Sequence, residues 1–257
     1  MINEYGETNS PLITGLATLS IPYGVYLHDL HYQPKKRKYR LLKDNPKYIF
    51  TYYRDRFMEY FPEFSDRMIW FPHHVDTNIY KDYGEKKSID FLLMGSIHPR
   101  IYPLRTMILE TMRSTKGFVY HPHPGYRNFR QDEKALVGER YAREINRAKI
   151  FFTCDSKFHY PLNKYFEVLA CKTLLLAPTS SELEDLGFKP NQHFVSITKH
   201  DFQQKAKYYQ QHDAIRERIA AAGYQMVRER HSTKRRAHQF LAIVKEILRR
   251  ERSEKCL

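Results

Sequence analysis

Short apolar runs alternate with amphipathic stretches along most of the chain. The runs have the length and composition of strands that are buried on both faces, and the stretches between them have helical spacing. The predicted strands are residues 23–27, 48–52, 68–71, 90–94, 117–121, 150–153, 173–177 and 193–197. Because strands and helices alternate, the pattern predicts an α/β fold whose parallel sheets are joined by right-handed crossovers.

The amphipathic stretches predict helices of very different lengths. The longer ones are expected at residues 34–44, 103–113, 139–148, 201–212, 213–230 and 233–250, and another begins at Asn9 or Ser10 and ends near Leu19. Residues 82–88 are polar and mark the predicted domain boundary. We therefore expect a partial N-terminal Rossmann-like lobe at residues 1–84 and a C-terminal Rossmann-like lobe with trailing helices at residues 85–257.

One stretch, residues 163–178, predicts a short helix that runs directly into a buried strand. Leu162, Phe166, Leu169 and Ala170 recur at helical spacing and give the helix one apolar face. Glu167 lies about one turn into this helix, where the opening amides and the dipole favour an anionic ligand nearby. A carboxylate there can also accept hydrogen bonds from sugar hydroxyls. Periodicity alone favours the simpler interpretation, a solvated glutamate beside a core face.

A second stretch, residues 95–105, follows the predicted strand at residues 90–94. The loop begins with Gly95 and Ser96 and contains Arg100, and Arg105 lies at the start of the next predicted helix. Ligands of open α/β sheets bind at this end of the strands. A small residue lets backbone amides approach a phosphate, and arginine offers two parallel donors to its oxygens. The alternative is an ordinary turn followed by a surface arginine.

Composition and charge narrow the function classes. The chain has 257 residues, and its three cysteines form no CxxC pair, which is typical of reduced thiols in a cytoplasmic protein. No apolar run has transmembrane length, and the first residues lack a signal-peptide core. The net charge of +14 suits phosphate-bearing small molecules, nucleic acid or an anionic membrane. Five of the six residues from Lys35 to Arg40 are basic, so peripheral membrane contact is one expectation and a solvated helix face is the alternative.

Residues 163–178, with the sequence NKYFEVLACKTLLLAP, resemble the E-A-x-A-C-G-x-P segment of group-1 retaining glycosyltransferases with the GT-B fold. They are most similar to the CgeB-like subgroup. Glu182-Leu183, Phe188, Asn191-Gln192, Ala222-Gly223 and His231 follow at fitting distances. The resemblance covers residues 89–241 well and the earlier part loosely. It implies two Rossmann-like lobes, with a shortened N-terminal lobe on the acceptor side and a C-terminal lobe that binds a nucleotide sugar.

The resemblance also implies roles for individual residues. Glu167 matches the ribose-binding glutamate of the family. Lys164 matches the basic residue that neutralises the donor diphosphate, and Arg105 matches the arginine that follows the Gly-Ser loop. His159 stands where the wider group has a glutamate facing the donor sugar, which weakens the carry-over of that role. The full set of expected donor-binding residues is Gly95, Ser96, Arg100, Arg105, His159, Asn163, Lys164 and Glu167.

Four histidines outside this set are candidates for catalysis, metal binding or cleft lining. His28, Asp29 and His31 follow the strand at residues 23–27, where group-1 enzymes often place a histidine that faces the reaction centre. His28 and Asp29 are therefore the expected catalytic-side residues. Two histidines three apart with a carboxylate could bind zinc, but the spacing alone is not a metal motif and no further ligand is evident, so no metal site is expected. Sugar or acceptor contact is favoured over metal, and structural packing of the loop is the alternative to both. His121 and His123 are a weaker case, lining the donor cleft or merely forming a rigid turn.

The resemblance implies a glycosyltransferase that needs neither a metal nor a cofactor beyond its donor substrate, and the composition favours a cytoplasmic protein. The expected acceptor is a glycan, a lipid-linked group or a protein, and no general base is evident in the sequence. Two alternatives remain open. The first is a non-catalytic GT-B-like partner subunit. The second is a nucleic-acid-binding module, although the chain carries no RNP, helix-turn-helix or zinc-finger signature.

Overall fold

The structure is a computed structural model that describes residues 1–3, 13–130 and 133–255. The chain divides into two compact units. Unit 1 comprises Met1–His73 together with Ala237–Leu257, and unit 2 comprises His74–Arg236. This division falls earlier than the predicted boundary at residues 84 and 85, and it assigns most of the last helix to unit 1.

Unit 1 is built on a small parallel sheet. Its elements are β1 (Gly24–Leu27), α1 (Pro34–Asp44), β2 (Tyr48–Thr51), α2 (Arg54–Tyr60) and β3 (Met68–Trp70), with 3₁₀ segments at Leu16–Thr18 and Pro62–Arg67. The strand order is β1-β2-β3, and an isolated parallel bridge joins Ile2 to Val25. The rings of Phe50 and Phe71 pack against Phe240 of the last helix, α9 (Thr233–Lys255).

The prediction of a helix that ends near Leu19 is wrong for the residues from 13 onward, which the structure describes. Residues 9–12 lie outside the described residues, and the rest of the predicted helix holds only the 3₁₀ turn Leu16–Thr18. Gly15 has a φ of 78°, a left-handed conformation that an α-helix cannot contain. Pro22 lies shortly beyond this turn.

Unit 2 contains a five-stranded parallel sheet in the order β5-β4-β6-β7-β8. Its elements are β4 (Ile89–Met94), α3 (Pro103–Met112), β5 (Phe118–His121), α4 (Gly138–Asn146), β6 (Ala148–Phe152), α5 (Asn163–Ala170), β7 (Leu174–Ala177), α6 (Ser181–Asp185), β8 (Val195–Ser196), α7 (Phe202–Gln211) and α8 (Asp213–Arg230). The alternation predicted from the apolar runs is therefore confirmed, although β8 is shorter than expected.

Buried aliphatic and aromatic side chains from both faces of this sheet form the core of unit 2. Phe91, Leu93, Phe152 and Leu176 are each at most 3% exposed and form one cluster on one face of the sheet. Their neighbours on the opposite face, Leu92, Phe151 and Leu175, are fully buried as well. Such continuous burial is typical of a parallel sheet covered by helices on both sides. Among the described residues, no helix combines the length and the apolarity that a bilayer-spanning segment requires.

Gly223 on α8 fixes the position of α5, the helix that carries Glu167. A Cβ atom at Gly223 would overlap the side chain of Leu169 on α5 and the carbonyl of His193. Only glycine therefore lets α8 approach α5 so closely. The Ala222-Gly223 pair that the sequence singled out has a packing role that holds α5 against its neighbours.

Candidate functional site

The strand order of unit 2 creates a crevice between β4 and β6. The chain leaves β4 toward β5 on one side of the sheet, and β6 then pairs with β4 on the other side. Loops that leave neighbouring strands in opposite directions separate at such a switch point, where ligands of open α/β sheets bind. The loop after β4 begins with Gly95, and the loop after β6 leads to α5.

A cavity of about 300 Å³ opens at this end of the sheet. Its walls come from the loops after β4 and β5, from α4 and α5, and from the segment before β4. The lining residues are Tyr80, Met94, Gly95, Pro122, His123, Pro124, Gly125, Tyr126, Leu136, Val137, Gly138, Tyr141, Lys164 and Glu167. Three of the predicted donor-binding residues, Gly95, Lys164 and Glu167, thus share one cavity.

Gly95 brings two cationic side chains close to the backbone. Its φ is 127°, and a Cβ atom at this position would lie 3.1 Å from Nη1 of Arg105 and 3.3 Å from Cε of Lys164. The carbonyl of Gly95 accepts a hydrogen bond of 3.0 Å from the hydroxyl of Tyr120. The backbone conformation favours glycine here, and a larger residue would also make the two cationic side chains move by a few tenths of an ångström.

Arg105 is a buried cation without an ion-pair partner among the described residues. Its side chain is 3% exposed, Nη1 donates to the carbonyl of Ser96 over 2.9 Å, and the guanidinium lies 4.2 Å from the centre of the Tyr102 ring. Within the described part of the chain, Nε is buried and has no hydrogen-bond acceptor. A buried charge that no carboxylate compensates indicates that an anionic ligand belongs nearby. The alternative interpretation, an ordinary turn with a surface arginine, therefore does not describe Arg105.

Lys164 is half-buried at the opening of α5 and points its positive charge into the cavity wall. Burial lowers the pKa of Lys164, the charge of Glu167 raises it, and Arg105 lowers it. Its Nζ lies 5.6 Å from the centre of the Tyr141 ring. Lys164 supplies a positive charge to the cavity lining, and Arg105, which lies outside the lining, places a second positive charge against Gly95.

Glu167 is half-buried and hydrogen bonded, so it is not a freely solvated helix residue. Burial raises the pKa of its carboxyl group, and the positive charge of Lys164 lowers it. Hydrogen bonds from two tyrosine hydroxyls, Tyr141 and Tyr80, also lower this pKa. The Tyr141 hydroxyl donates to Oε2 over 3.3 Å. Burial is the largest of these effects, so the pKa of Glu167 is raised overall. The two hydroxyl donors hold its carboxyl group in a fixed orientation.

Tyr80 and Tyr141 were missed by the sequence reasoning. Their rings meet edge to face, with centroids 6.1 Å apart, and both line the cavity. Tyr141 lies on α4 and Tyr80 on the turn after Val75, so the two hydroxyls reach Glu167 from separate parts of unit 2. Burial raises the pKa of each tyrosine, and the charge of Glu167 raises it further. Both phenols therefore stay protonated and act as donors at neutral pH.

The remaining predicted donor-binding residues do not line the cavity. Ser96, Arg100 and Asn163 are exposed, Asn163 being the first residue of α5. His159 has a φ of 53° and places Nδ1 2.6 Å from Oδ2 of Asp155. Its side chain is 62% exposed, so the imidazole that replaces the expected glutamate is held at the surface by a buried aspartate.

The loop after β5 supplies the opposite wall of the cavity. His123 lines it, as the sequence allowed, and its Nδ1 accepts a hydrogen bond of 2.9 Å from the amide of Gly125. Burial lowers the pKa of His123, and the charges of Lys164 and Arg105 lower it further. His121 lies outside the cavity lining and places Nε2 2.8 Å from Oε1 of Glu144.

His28 and Asp29 lie in unit 1, directly after β1. The imidazole of His28 stacks on the ring of Tyr26 at 5.0 Å, and its Nε2 lies 2.9 Å from Oδ1 of Asn3. Asp29 is exposed, with a φ of 27°. Arg37 donates to the backbone carbonyls of both His28 and Asp29, over 2.7 Å and 2.9 Å.

Arg37 changes the interpretation of the basic segment Lys35 to Arg40. Its side chain is 1% exposed and braces the loop after β1, so it contributes no surface charge. Lys38 pairs with Glu63, and Arg40 pairs with Asp44. The segment thus presents fewer free charges than its sequence suggests.

Across the described ranges, no three His, Cys, Asp or Glu side chains form a group that could hold a metal ion.

The cavity combines two kinds of polar group. Lys164 and the backbone of Gly95 line it, with the guanidinium of Arg105 packed against Gly95. The lining also contains the carboxyl group of Glu167, which is braced by two tyrosine hydroxyls. Cations beside a small residue suit phosphate oxygens, and a fixed carboxylate suits a pair of hydroxyl groups. The apolar wall of Pro122, Pro124 and Val137 completes a pocket with few, well-placed polar groups.

Known structures share this architecture at low sequence identity. HepE from Anabaena, crystallised with UDP and glucose, has a TM-score of 0.67 at 9% identity, over 88% of this chain and 72% of that chain. Sucrose-phosphate synthase from Thermosynechococcus elongatus has a TM-score of 0.61 at 10% identity, over 90% and 69% of the two chains. The pneumococcal O-GlcNAc transferase GtfA, in complex with UDP and GlcNAc, has a TM-score of 0.58 at 9% identity, over 88% and 53%. These likenesses show the fold, which is GT-B-like, and confirm the predicted fold class.

The family of this chain is shown by a match between its sequence and a family model. No curated protein matches the chain significantly. A family model described as glycosyl transferase-like matches residues 89–242, which is more than half of the chain. The match includes β4, the loop after it, α5 and most of the cavity lining. The chain therefore belongs to the glycosyl transferase-like family and is a glycosyltransferase of the GT-B type.

Proposed function

We propose that this glycosyltransferase moves a sugar, with retention of configuration, from a nucleotide-diphosphate donor to an acceptor hydroxyl. One observation carries the proposal: Arg105 and Lys164 flank Gly95, and Glu167 lies in the same cavity. The complexes of HepE with UDP-glucose and of GtfA with UDP and GlcNAc support a nucleotide-sugar donor. The short motif around Phe166-Glu167 and Ala170-Cys171 supports a place in the CgeB-like subgroup.

The donor diphosphate binds against the cationic side of the cavity. Arg105 lacks an ion-pair partner among the described residues, and Lys164 lies beside it. Negative charge builds up on the leaving diphosphate as the glycosidic bond breaks, and fixed positive charges stabilise it with little reorganisation. The amides that follow Gly95 donate to the same oxygens, because no Cβ blocks the approach. These groups supply the charge that a metal supplies elsewhere, so the reaction is proposed to be metal-independent.

The donor ribose binds at the other side, where Glu167 accepts from its two hydroxyls. Tyr141 and Tyr80 each donate to the carboxylate, and its remaining lone pairs are left for the ligand. Ser96, Arg100, Asn163 and His159 remain proposed donor contacts. His28 and Asp29 remain proposed acceptor-side residues, within the proposed acceptor lobe of residues 1–84. Residues 85–257 form the proposed donor lobe, and the proposed acceptor is a glycan, lipid-linked group or protein.

One observation favours a second candidate, a nucleotide-binding GT-B subunit without transferase activity. The imidazole of His159 is held by Asp155 and does not line the cavity, at the position where the wider group has its sugar-facing glutamate. Such a subunit binds a nucleoside diphosphate as tightly as an enzyme does but does not turn over the sugar. Binding and turnover must therefore be measured separately.

The test begins with thermal shift against UDP, GDP, ADP and dTDP, each paired with its nucleoside. A ligand that binds only the native state raises the Tm by mass action, and the diphosphate is expected to exceed its nucleoside clearly. The matching nucleotide sugars are then assayed for diphosphate release with and without EDTA, and the product anomer is assigned by NMR. Activity unchanged by EDTA and a retained anomer support the proposal. No diphosphate-dependent shift at millimolar ligand contradicts donor binding, and binding without sugar release favours the second candidate.

A further inference from the structure

The outward face of α1 in unit 1 carries large apolar side chains. Arg37, Leu41 and Asp44 are buried, and their spacing defines the inner face of the helix. Tyr39 and Leu42 therefore point away from the unit, and they are 69% and 62% exposed. Exposed aromatic and leucine side chains on one helix face are unusual for a surface in contact with water alone.

The segment before β1 is attached to α1 and exposes two further apolar side chains. The 3₁₀ turn Leu16–Thr18 packs against α1, and the hydroxyl of Tyr23 donates to the carbonyl of Asp44 at the end of α1. Between these two attachments the chain exposes Leu19 by 47% and Ile21 by 65%. We call the four side chains Tyr39, Leu42, Leu19 and Ile21 the apolar patch.

The exposed charges of α1 have one sign. Lys35, Lys36 and Lys43 are exposed on α1. The only acidic residue of α1, Asp44, is buried and paired with Arg40. A helix face with an aromatic and a leucine at its centre and lysines at its rim matches the pattern of helices that lie in a membrane interface. Such lysines reach the headgroups while their apolar neighbours enter the acyl boundary.

We propose that the apolar patch and its rim of Lys35, Lys36 and Lys43 bind the surface of an anionic lipid bilayer. The proposal is independent of the donor site, because every residue it uses belongs to unit 1. A second copy of the chain is a poorer occupant, since two such faces would bring lysines against lysines. A nucleic acid is also poorer, because a phosphate backbone gains nothing from exposed leucine and isoleucine side chains.

Liposome co-sedimentation of the full chain tests the proposal, with vesicles of pure phosphatidylcholine and vesicles that contain about 30% phosphatidylglycerol. The chain is expected to bind only the anionic vesicles and to dissociate as salt is raised. Each lysine near an anionic surface contributes about fivefold, or about 1 kcal/mol, to binding. The triple variant Lys35→Gln, Lys36→Gln, Lys43→Gln should therefore bind on the order of a hundredfold more weakly. The double variant Tyr39→Ser, Leu42→Ser should lose about tenfold through its lost apolar area.

The matched control removes the same net charge elsewhere, through Lys116→Gln, Lys199→Gln and Lys207→Gln on exposed positions of unit 2. All replaced side chains are exposed, so each variant should keep the Tm of the wild type. Retained binding in the control supports the proposal. Equal losses in the control, equal binding to neutral and anionic vesicles, or no effect of the Tyr39 and Leu42 changes would each overturn it. A dimer in analytical ultracentrifugation that these two changes abolish would assign the face to a second copy instead.

Discussion

The hydroxyl of Tyr141 donates a hydrogen bond to Oε2 of Glu167, and the two oxygens are 3.3 Å apart. The pair joins α4 to α5 inside the cavity that also contains Lys164 and Gly95. It determines which lone pairs of the carboxylate face the ligand. It also works against burial, which favours the neutral form of Glu167.

Tyr141→Phe should weaken nucleoside-diphosphate binding by about threefold to tenfold at pH 7. A hydrogen bond to a charged group contributes roughly 1.5–3 kcal/mol, but part of this energy orients Glu167 before the ligand binds and is not lost from the affinity. The effect should grow as the pH falls. The Tyr141 hydroxyl lowers the pKa of Glu167, so its removal raises that pKa and the carboxylate becomes protonated at a higher pH. Calorimetry between pH 5 and 8 measures this shift. Tyr208→Phe on α7 is the control, and identical pH profiles for the wild type and Tyr141→Phe would contradict a positioning role.

Arg105 is expected to discriminate diphosphates from nucleosides. Arg105→Gln keeps a side chain of similar length in the buried site but removes the charge, and loss of a charge-assisted hydrogen bond costs roughly 1.5–3 kcal/mol. Affinity for the diphosphate should therefore fall at least about tenfold, while affinity for the nucleoside changes little. Arg113→Gln, an exposed change just after α3, is the control. An equal loss for both ligands would mean that Arg105 does not contact phosphate.

His231 should make the stability of the protein depend on pH. Burial lowers the pKa of His231 to about 4, with the nearby charge of Arg236 acting in the same direction and the hydrogen bond to the Leu186 carbonyl opposing it. Because that carbonyl can only accept, Nε2 carries the proton and Nδ1 accepts from Arg236 over 3.0 Å. The folded state therefore binds fewer protons than the unfolded state between pH 6.5 and about 4.

Stability should consequently fall as the pH drops through this window, by about 3 kcal/mol from this residue, since one pKa unit corresponds to about 1.4 kcal/mol. His231→Gln should be less stable at pH 7.5 but should show a flatter pH dependence between 6.5 and 4. Urea denaturation at several pH values measures both effects. His200→Gln, at an exposed position, should keep the slope of the wild type. Parallel curves for His231→Gln and the wild type would show that His231 is not the titrating group.

Much of the fold could be predicted because it depends on local patterns. The apolar runs of β4, β6 and β7 are buried on both faces, and such runs are recognisable without knowledge of their partners. The segment before β1 could not be predicted in the same way. Its apolar residues have helical spacing, but Gly15 adopts a left-handed conformation that the spacing does not reveal.

The candidate site could be predicted only in part. Gly95, Lys164 and Glu167 lie within short motifs, whereas Tyr80 and Tyr141 reach Glu167 from distant positions in the chain. No local period signals such a contact. For Arg37 the sequence is misleading in another way. It lies within a run of basic residues that suggests a charged surface, but its position on α1 faces the interior and its side chain is buried.

Glu167→Gln tests the central claim most directly, because it changes the charge and keeps the size of the side chain. A carboxylate can accept from both ribose hydroxyls, whereas an amide offers one acceptor oxygen. Burial raises the pKa of Glu167, so ionising it at pH 7 costs stability, and the variant should melt at the wild-type temperature or slightly above it. Glu110→Gln on the exposed side of α3 is the matched control.

The decisive measurement is calorimetric titration of Glu167→Gln with the nucleoside diphosphate that gives the largest thermal shift. We predict that its Kd rises at least about tenfold, which corresponds to roughly 1.4 kcal/mol, while the Kd of Glu110→Gln stays at the wild-type value. An unchanged Kd in a Glu167→Gln variant that melts like the wild type would contradict the ribose-binding role, and with it the assignment of this cavity to the donor.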